Sequence, residues 1–432
     1  MITQVSSSLY QQLINTHDGL ISPSASFEQR RKDAFDRFKS TGFPSSKAEE
    51  WKYTNIQPLL NESYQVDGHL PGRAVALDLA AIEGLDAYKI VLVNGVFRKD
   101  LSDTIDESGV FVSSFGDATE EDLVKKHFAG HADKAENPFV SLNTALAKDG
   151  FVITIVGGNV VQKPIHIIHV AAADSQTFFQ ERNLIVLGKS AEAEIIETFI
   201  NETDSAKVFS NVVSEIVVDE NAKLEHYYLQ QAGSVGNYNN HTEIIQSKYS
   251  LYNNYNCTFP GASFVRNTIN VRLIDADVES HLYGITLLSD SQLVDNHTVV
   301  DHLMPNCESY EWYKNILQDK STAVFNGKIF VREDAQKTNA FQQNNNLLLN
   351  PDATINTKPQ LEIFADDVKC SHGCTIGQFD DEAKFYLQAR GISEDQAKTL
   401  LVHAFAFDVT ERFKNETVKN HVNNLVEQGL KH

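Results

Sequence analysis

The segment Lys369-Cys370-Ser371-His372-Gly373-Cys374 concentrates the ligand chemistry of this chain, holding two of its four cysteines and a histidine within five residues. In an extended strand, side chains two apart point the same way, so Cys370, His372 and Cys374 share one face. Two thiolates and an imidazole suit zinc, iron or an iron–sulfur cluster. The plain alternative is a buried thiol pair beside a hydrogen-bonded histidine, since free cysteine is among the most buried residue types. A structural zinc site usually takes four ligands from two separated pairs.

Two other groups could do chemistry. Asp295, His297, Asp301 and His302 lie within eight residues and read as an acid/base set, with Asp295, His297 and Asp301 on one face of a strand. The competing reading is a polar ladder on the outside of a stacked β-structure. Gln342-Gln343 and Asn344-Asn345-Asn346 read likewise as stacked amides or an interface. Gly188-Lys189-Ser190 imitates the end of a phosphate-binding loop, but Asn183 stands where the leading glycine is required. ATP, if it matters here, is bound by another protein.

The elements that must position these residues follow from pattern. The stretch from about 88 to 369 reads as short strands, at 90–93, 151–156, 165–170 and 183–186, with a helical interruption near 138–148. After Gly188 a phrase recurs: a turn residue, a small residue, then alternating apolar positions. The small residues fall at 191, 222, 250, 276, 291, 321, 335 and 353. Gaps clustering near 28 residues and half that length are what stacked solenoid coils produce. A β-sandwich would instead show turn signals about every 8–12 residues. The spacing therefore predicts a mainly β chain with a right-handed parallel β-helix core, flanked by N-terminal and C-terminal helical regions.

The expected boundaries are 1–85 for the first helical region, 86–374 for the core with a helical interruption near 120–148, and 375–432 for the last. Ser26 with Gln29 opens a helix whose Ala34, Phe35 and Phe38 share a face and which stops at Gly42 and Pro44. Ser46 with Glu49 forms a second capping box ahead of Trp51 and Tyr53, a small hydrophobic cluster. At the other end Asp380 caps one helix, with Phe385, Tyr386 and Ala389 on its apolar face. Ser393 with Gln396 opens a second helix and Gly429 ends a third. Their apolar content predicts docking against the core or a partner.

Net charge is −21, from 37 Lys plus Arg against 58 Asp plus Glu, and it is spread along all 432 residues. Such a field repels a phosphate backbone, which excludes nucleic acid as a natural partner. No stretch of eighteen apolar residues occurs, so no membrane span is expected. Four cysteines without regular spacing suggest a reducing compartment, and the cytoplasm is the expected location.

Beyond these patterns, Glu50-Trp51-Lys52-Tyr53-Thr54, Phe325-Asn326-Gly327-Lys328-Ile329, Asp334-Ala335-Gln336-Lys337-Thr338 and the run from Lys358-Pro359-Gln360-Leu361-Glu362-Ile363 through Cys370-Ser371-His372-Gly373 together resemble the SufB/SufD family of iron–sulfur cluster assembly scaffolds. The resemblance runs from Trp51 to the end. It is closer to the SufD branch, because the SufB pattern carries an acidic residue where this chain has Gly373. Membership implies a non-catalytic scaffold working with SufB and the ATPase SufC, and delivery of a cluster to downstream carriers. Separately, strand edges and amide-rich ladders predict that the surface near residues 300 to 350 joins a partner, either SufB or a second copy of this chain, and that the chain is a homodimer when alone. It implies that His372 is the functional histidine, at the contact with SufB, with Cys370 the matching motif thiol and Cys374 a further candidate ligand. No fourth ligand stands nearby, which favours a transient cluster shared between chains. The competing function is a cytoplasmic β-helix metalloenzyme or polysaccharide-acting enzyme centred on Asp295, His297, Asp301 and His302.

Overall fold

The computed structural model describes residues 7–20, 27–66, 74–132, 137–202, 207–231 and 236–430. Two ten-stranded sheets face one another, and the chain alternates between them in a parallel solenoid of about seven turns. From Thr177–Leu187 onward each coil lays one strand in the first sheet and the next in the second, ending with Thr354–Ile363 and Lys369–Gln378. Asn237 pairs with Phe264 and Thr322 with Thr354, so one coil takes from 27 to 32 residues.

The coil corners explain the spacing. Ser190, Asn221, Tyr249, Asp277, Asn306 and Lys337, all with φ near +60°, turn the chain from the first sheet into the second. Asp290 and Asp319, at φ +55°, turn it back. Asn, Asp and Ser hold this left-handed geometry at low cost because their short polar side chains bond locally. The recurring small residues mixed the two kinds of corner, which is why half-length gaps appeared. Gly188 and Ser190 belong to such a corner; their N–H groups bond Ile155 and Glu220 carbonyls and cradle nothing.

Inside the solenoid, Ile185, Ile216, Ile244, Val271, Val300 and Ile329 stack in register as an apolar spine. Beside it runs a polar filling: Asn240 Nδ2 donates to Asn267, Asn267 to Asn296, and Asn315 to Asn346, at 2.7–3.0 Å. Buried amides pair rung to rung because no water reaches them. The helical interruption comprises Asp122–His127 and Pro138–Leu146. Glu215, ion-paired with the buried Arg182, accepts N–H bonds from Ala129, His131 and Ala132 and so ties this insert down.

At the N-terminal end, Glu28–Thr41 buries Ala34, Phe35 and Phe38 as its pattern requires, and stops at Gly42. Ser26 of its expected capping box lies outside the described residues. The second box does not form: Glu49–Trp51 is a single 3₁₀ turn capped by Ala48 without a side-chain bond, while Ser45 Oγ accepts from Lys47 N. Trp51 joins the core, but Tyr53 is exposed and outside it. At the C-terminal end, Glu394–Thr410 and Glu416–Gln428 bury Val402, Val409, Val418 and Val422 against Tyr227, Ile285 and Ile316 on the second sheet. Asp380 caps Asp381–Ala389, and Ser393 with Gln396 makes the full capping box.

Candidate functional site

The last strand, Lys369–Gln378, pairs on one side with Asn339–Leu348 and has no strand on its other side among the described residues. Its register decides where the candidate ligands point. Cys370 stacks on Ala340, His372 on Gln342 and Cys374 on Asn344, and those three partners are buried inside the solenoid. The three candidates therefore top interior columns at the open end of the bore, while Ser371 and Gly373 lie on the outer face. Cys370 packs against the apolar spine, and burial pushes its thiol pKa up. The Cys374 thiol lies 3.5 Å from Thr357 Oγ1 on the facing strand, and Asn346 Nδ2 stands 3.9 Å from its sulfur. His372 is exposed.

Residues two apart on a strand are separated by roughly 6.7 Å, so Cys370 and Cys374 stand roughly 13 Å apart and cannot grip one ion together. Among the described residues, no group of three or more His, Cys, Asp or Glu is arranged to hold a metal ion. A cluster at this mouth needs ligands from elsewhere. A side chain at Gly373 would meet nothing within 4 Å, so packing does not require glycine there.

The Asp295, His297, Asp301 and His302 set is not assembled. Asp295 and His297 do share the outer face, but they clamp the N-terminal segment. Thr54 Oγ1 and Arg266 Nη1 donate to Asp295 Oδ2, and His297 bridges Asp295 at 2.8 Å and Glu50 at 3.2 Å. Burial pushes the Asp295 carboxyl up, but Arg266 and His297 outweigh it and hold the pKa at about 2. About 10 Å³ remains between these groups, room for one water at most. Asp301 pairs with Arg332 on the surface, and His302 points inward to Ser309 Oγ at 2.8 Å, its pKa pushed by burial to about 3. No substrate could reach a set divided in this way.

Sequence reading missed a buried ionic cluster in the early coils, where Glu197 bonds both His169 and His226 at 2.7 Å, and His169 also contacts Glu181 at 2.9 Å. Burial disfavours charge here, but the carboxylates raise His169 to about 9 and the two histidines hold Glu197 near 2. The available signal was the coil length, since these groups stand 28 and 29 residues apart.

The chain matches the family model described as "SUF system FeS cluster assembly, SufBD core domain" over residues 169–405, and that described as "SufBD protein N-terminal region" over residues 4–167. It is 33% identical over 395 residues to the iron–sulfur cluster assembly protein SufD of Escherichia coli, covering 90% of each chain. It is 32% identical over 398 residues to the SufBD family protein slr0076 of Synechocystis, covering 89% of this chain and 86% of the relative. SufD of Bacillus subtilis is 25% identical over 347 residues, covering 77% and 76%.

Proposed function

This chain belongs to the SufBD family of the SUF system for iron–sulfur cluster assembly, and from that premise we propose that it is a non-catalytic scaffold subunit acting with SufB and the ATPase SufC. The observation that carries this reading is the Cys370-Ser371-His372 strand, with Cys370 half-buried and His372 exposed, at a solenoid end that no described strand covers and with too few ligands among the described residues to close a site alone. His372 and Cys370 are the proposed ligands of a transient cluster completed by SufB, with Cys374 the third donor, to a neighbouring atom of that cluster. A neutral imidazole suits a cluster that must be handed on to carriers, because protonation or exchange releases it. This chain itself binds no nucleotide in this reading.

Two surfaces serve assembly in this proposal. Strands between 300 and 350 are paired on both sides, so the joining edge lies further along than the sequence suggested, at Thr354–Ile363 and Lys369–Gln378. Unpaired strand edges recruit strands. Either SufB or, when the chain is alone, a second copy covers them. The ATPase sits on the C-terminal helices, where Asp381–Ala389 buries nothing and Phe385, Tyr386, Leu400 and Phe407 are exposed. No described helix is long and apolar enough to cross a membrane. Four free cysteines suit a reducing compartment, and the cytoplasm is the proposed one.

Co-expression with SufB and SufC, followed by measurement of subunit stoichiometry, iron and acid-labile sulfide, tests the proposal. A three-component complex whose cluster content collapses in His372→Ala is expected. Full cluster content in that variant, within an intact complex, would overturn it.

A further inference from the structure

The interior column that ends in His372 runs through successive coils as Leu282, Glu311, Gln342 and His372, each stacked directly on the next. Glu311 and Gln342 are 1% and 2% exposed. Gln342 Nε2 donates to Glu311 Oε2 at 2.6 Å, an arrangement that turns Oε1 away from that carboxyl. Its Oε1 is left buried with no hydrogen-bond partner among the described residues. An orphaned buried acceptor costs roughly 1–3 kcal/mol, so a donor brought within reach of it would be bound. The next side chain up the column is an imidazole, which carries the donor that this oxygen lacks.

The facing strand is shaped around this amide. A Cβ at Gly327 would collide with Gln342 Nε2 and with the Phe325 ring, so only glycine leaves the glutamine its place. That gives the Phe325-Asn326-Gly327-Lys328-Ile329 motif a physical meaning, one coil below the exposed strand pair.

We propose that Gln342 is a positioning residue for His372. In the described conformation the imidazole does not reach this oxygen; turned into the bore, it would donate one N–H to Oε1, which would set the tautomer and ring plane and leave the other nitrogen lone pair facing outward. Metal-ligating histidines commonly need such an inner partner, because a free imidazole divides its proton between two nitrogens and rotates. Glu311 serves one step deeper by holding the amide, and Gly327 serves by leaving it room. The inference rests on the reading of His372 as a cluster ligand.

The test uses the full-length chain labelled with ¹⁵N-histidine, with His372→Ala to assign the resonance. Ring ¹⁵N shifts at a pH where the imidazole is neutral give the tautomer ratio. A tautomer ratio shifted about fivefold from that of free histidine is expected in the parent protein, the yield of a net hydrogen bond of ~1 kcal/mol. In Gln342→Met, which keeps the volume and removes the amide, the ratio should relax to that of free histidine. Gly327→Ala, which touches nothing on the last strand and displaces the amide, should do the same. A role confined to packing would lower the melting temperature of these variants and leave the tautomer ratio unmoved. An identical ratio in parent and Gln342→Met overturns the proposal and means that the amide oxygen finds its donor elsewhere in the bore. Failure of the ligand reading shows separately, as undiminished cluster content in the His372→Ala complex.

Discussion

The Arg266 guanidinium lies 3.9 Å from the centroid of the Trp51 ring, in a buried contact between Phe264–Leu273, the fourth coil strand of the first sheet, and a segment more than two hundred residues earlier. The same guanidinium bonds the Glu50 carbonyl at 2.9 Å and the Asp295 carboxylate. One cation thus fastens the N-terminal region to the solenoid through ring face, backbone and counter-ion, and its charge is kept in a dry site by Asp295. Trp51→Ala should cost about 3–5 kcal/mol, since it leaves a cavity and uncovers a buried ion pair. Urea unfolding followed by tryptophan fluorescence and circular dichroism measures this; a loss under 1 kcal/mol would contradict the clamp.

Stability should depend on pH through two carboxyls of opposite sign. Asp295 has a folded pKa near 2, below the ordinary carboxylate value of about 3.9, so its contribution is complete above that value and is lost as pH falls toward 2. Glu311 is raised by burial to about 7, so the folded state holds a proton that the unfolded state releases near 4.3. Stability should therefore fall as pH rises from about 4 to about 7, on the order of 3 kcal/mol from this group. Glu311→Gln should flatten that slope and be the more stable protein at pH 8. Parallel slopes for the two proteins in denaturant titrations would refute the assignment.

Glycines in the second sheet should separate by position. Gly373→Glu meets open space and should change stability by no more than about 0.5 kcal/mol. Gly284→Ala drives a methyl into the Tyr313 ring and should cost about 1–3 kcal/mol. Melting temperatures of the two variants give the comparison, and equal effects would mean that the last strand is covered.

The candidate ligands should rank by chemistry and not by stability. His372→Ala should leave the melting temperature nearly unchanged and abolish cluster formation in the complex. Cys370→Ala should weaken cluster formation and cost about 1 kcal/mol, because that side chain also packs on the apolar spine. Cys374→Ala should be mildest on both counts. Joint loss of folding and cluster in His372→Ala would instead mark a packing histidine.

ATPase capture should fail in Phe385→Asp combined with Phe407→Asp, with the β-rich circular dichroism intact, since both rings are more than half exposed. Removing residues 380–432 entirely is a poorer probe, because it would strip Val402, Val409, Val418 and Val422 from the second sheet. Undiminished capture by the double variant would place the ATPase elsewhere.

The repeat length, the helical ends and the C-terminal caps at Asp380 and Ser393 were legible in the sequence because they rest on local geometry: alternation along a strand, left-handed corner residues, and side chains that bond their own backbone. Alternation also put Cys370, His372 and Cys374 on one face. Which face that was, the bore or the outside, was decided only by the stacking of Lys369–Gln378 on Asn339–Leu348. Asp295 and His297 looked like acid and base because composition carries no record of what lies above a strand; Thr54 and Glu50, 241 and 247 residues away, turned them into a clamp. The column of Glu311, Gln342 and His372 was likewise invisible, since its members are 31 and 30 residues apart and meet only when the coils close. Local sterics set each strand and corner, whereas burial, orphaned polar groups and shifted pKa values arise from contacts between coils, and those exist only in the stack.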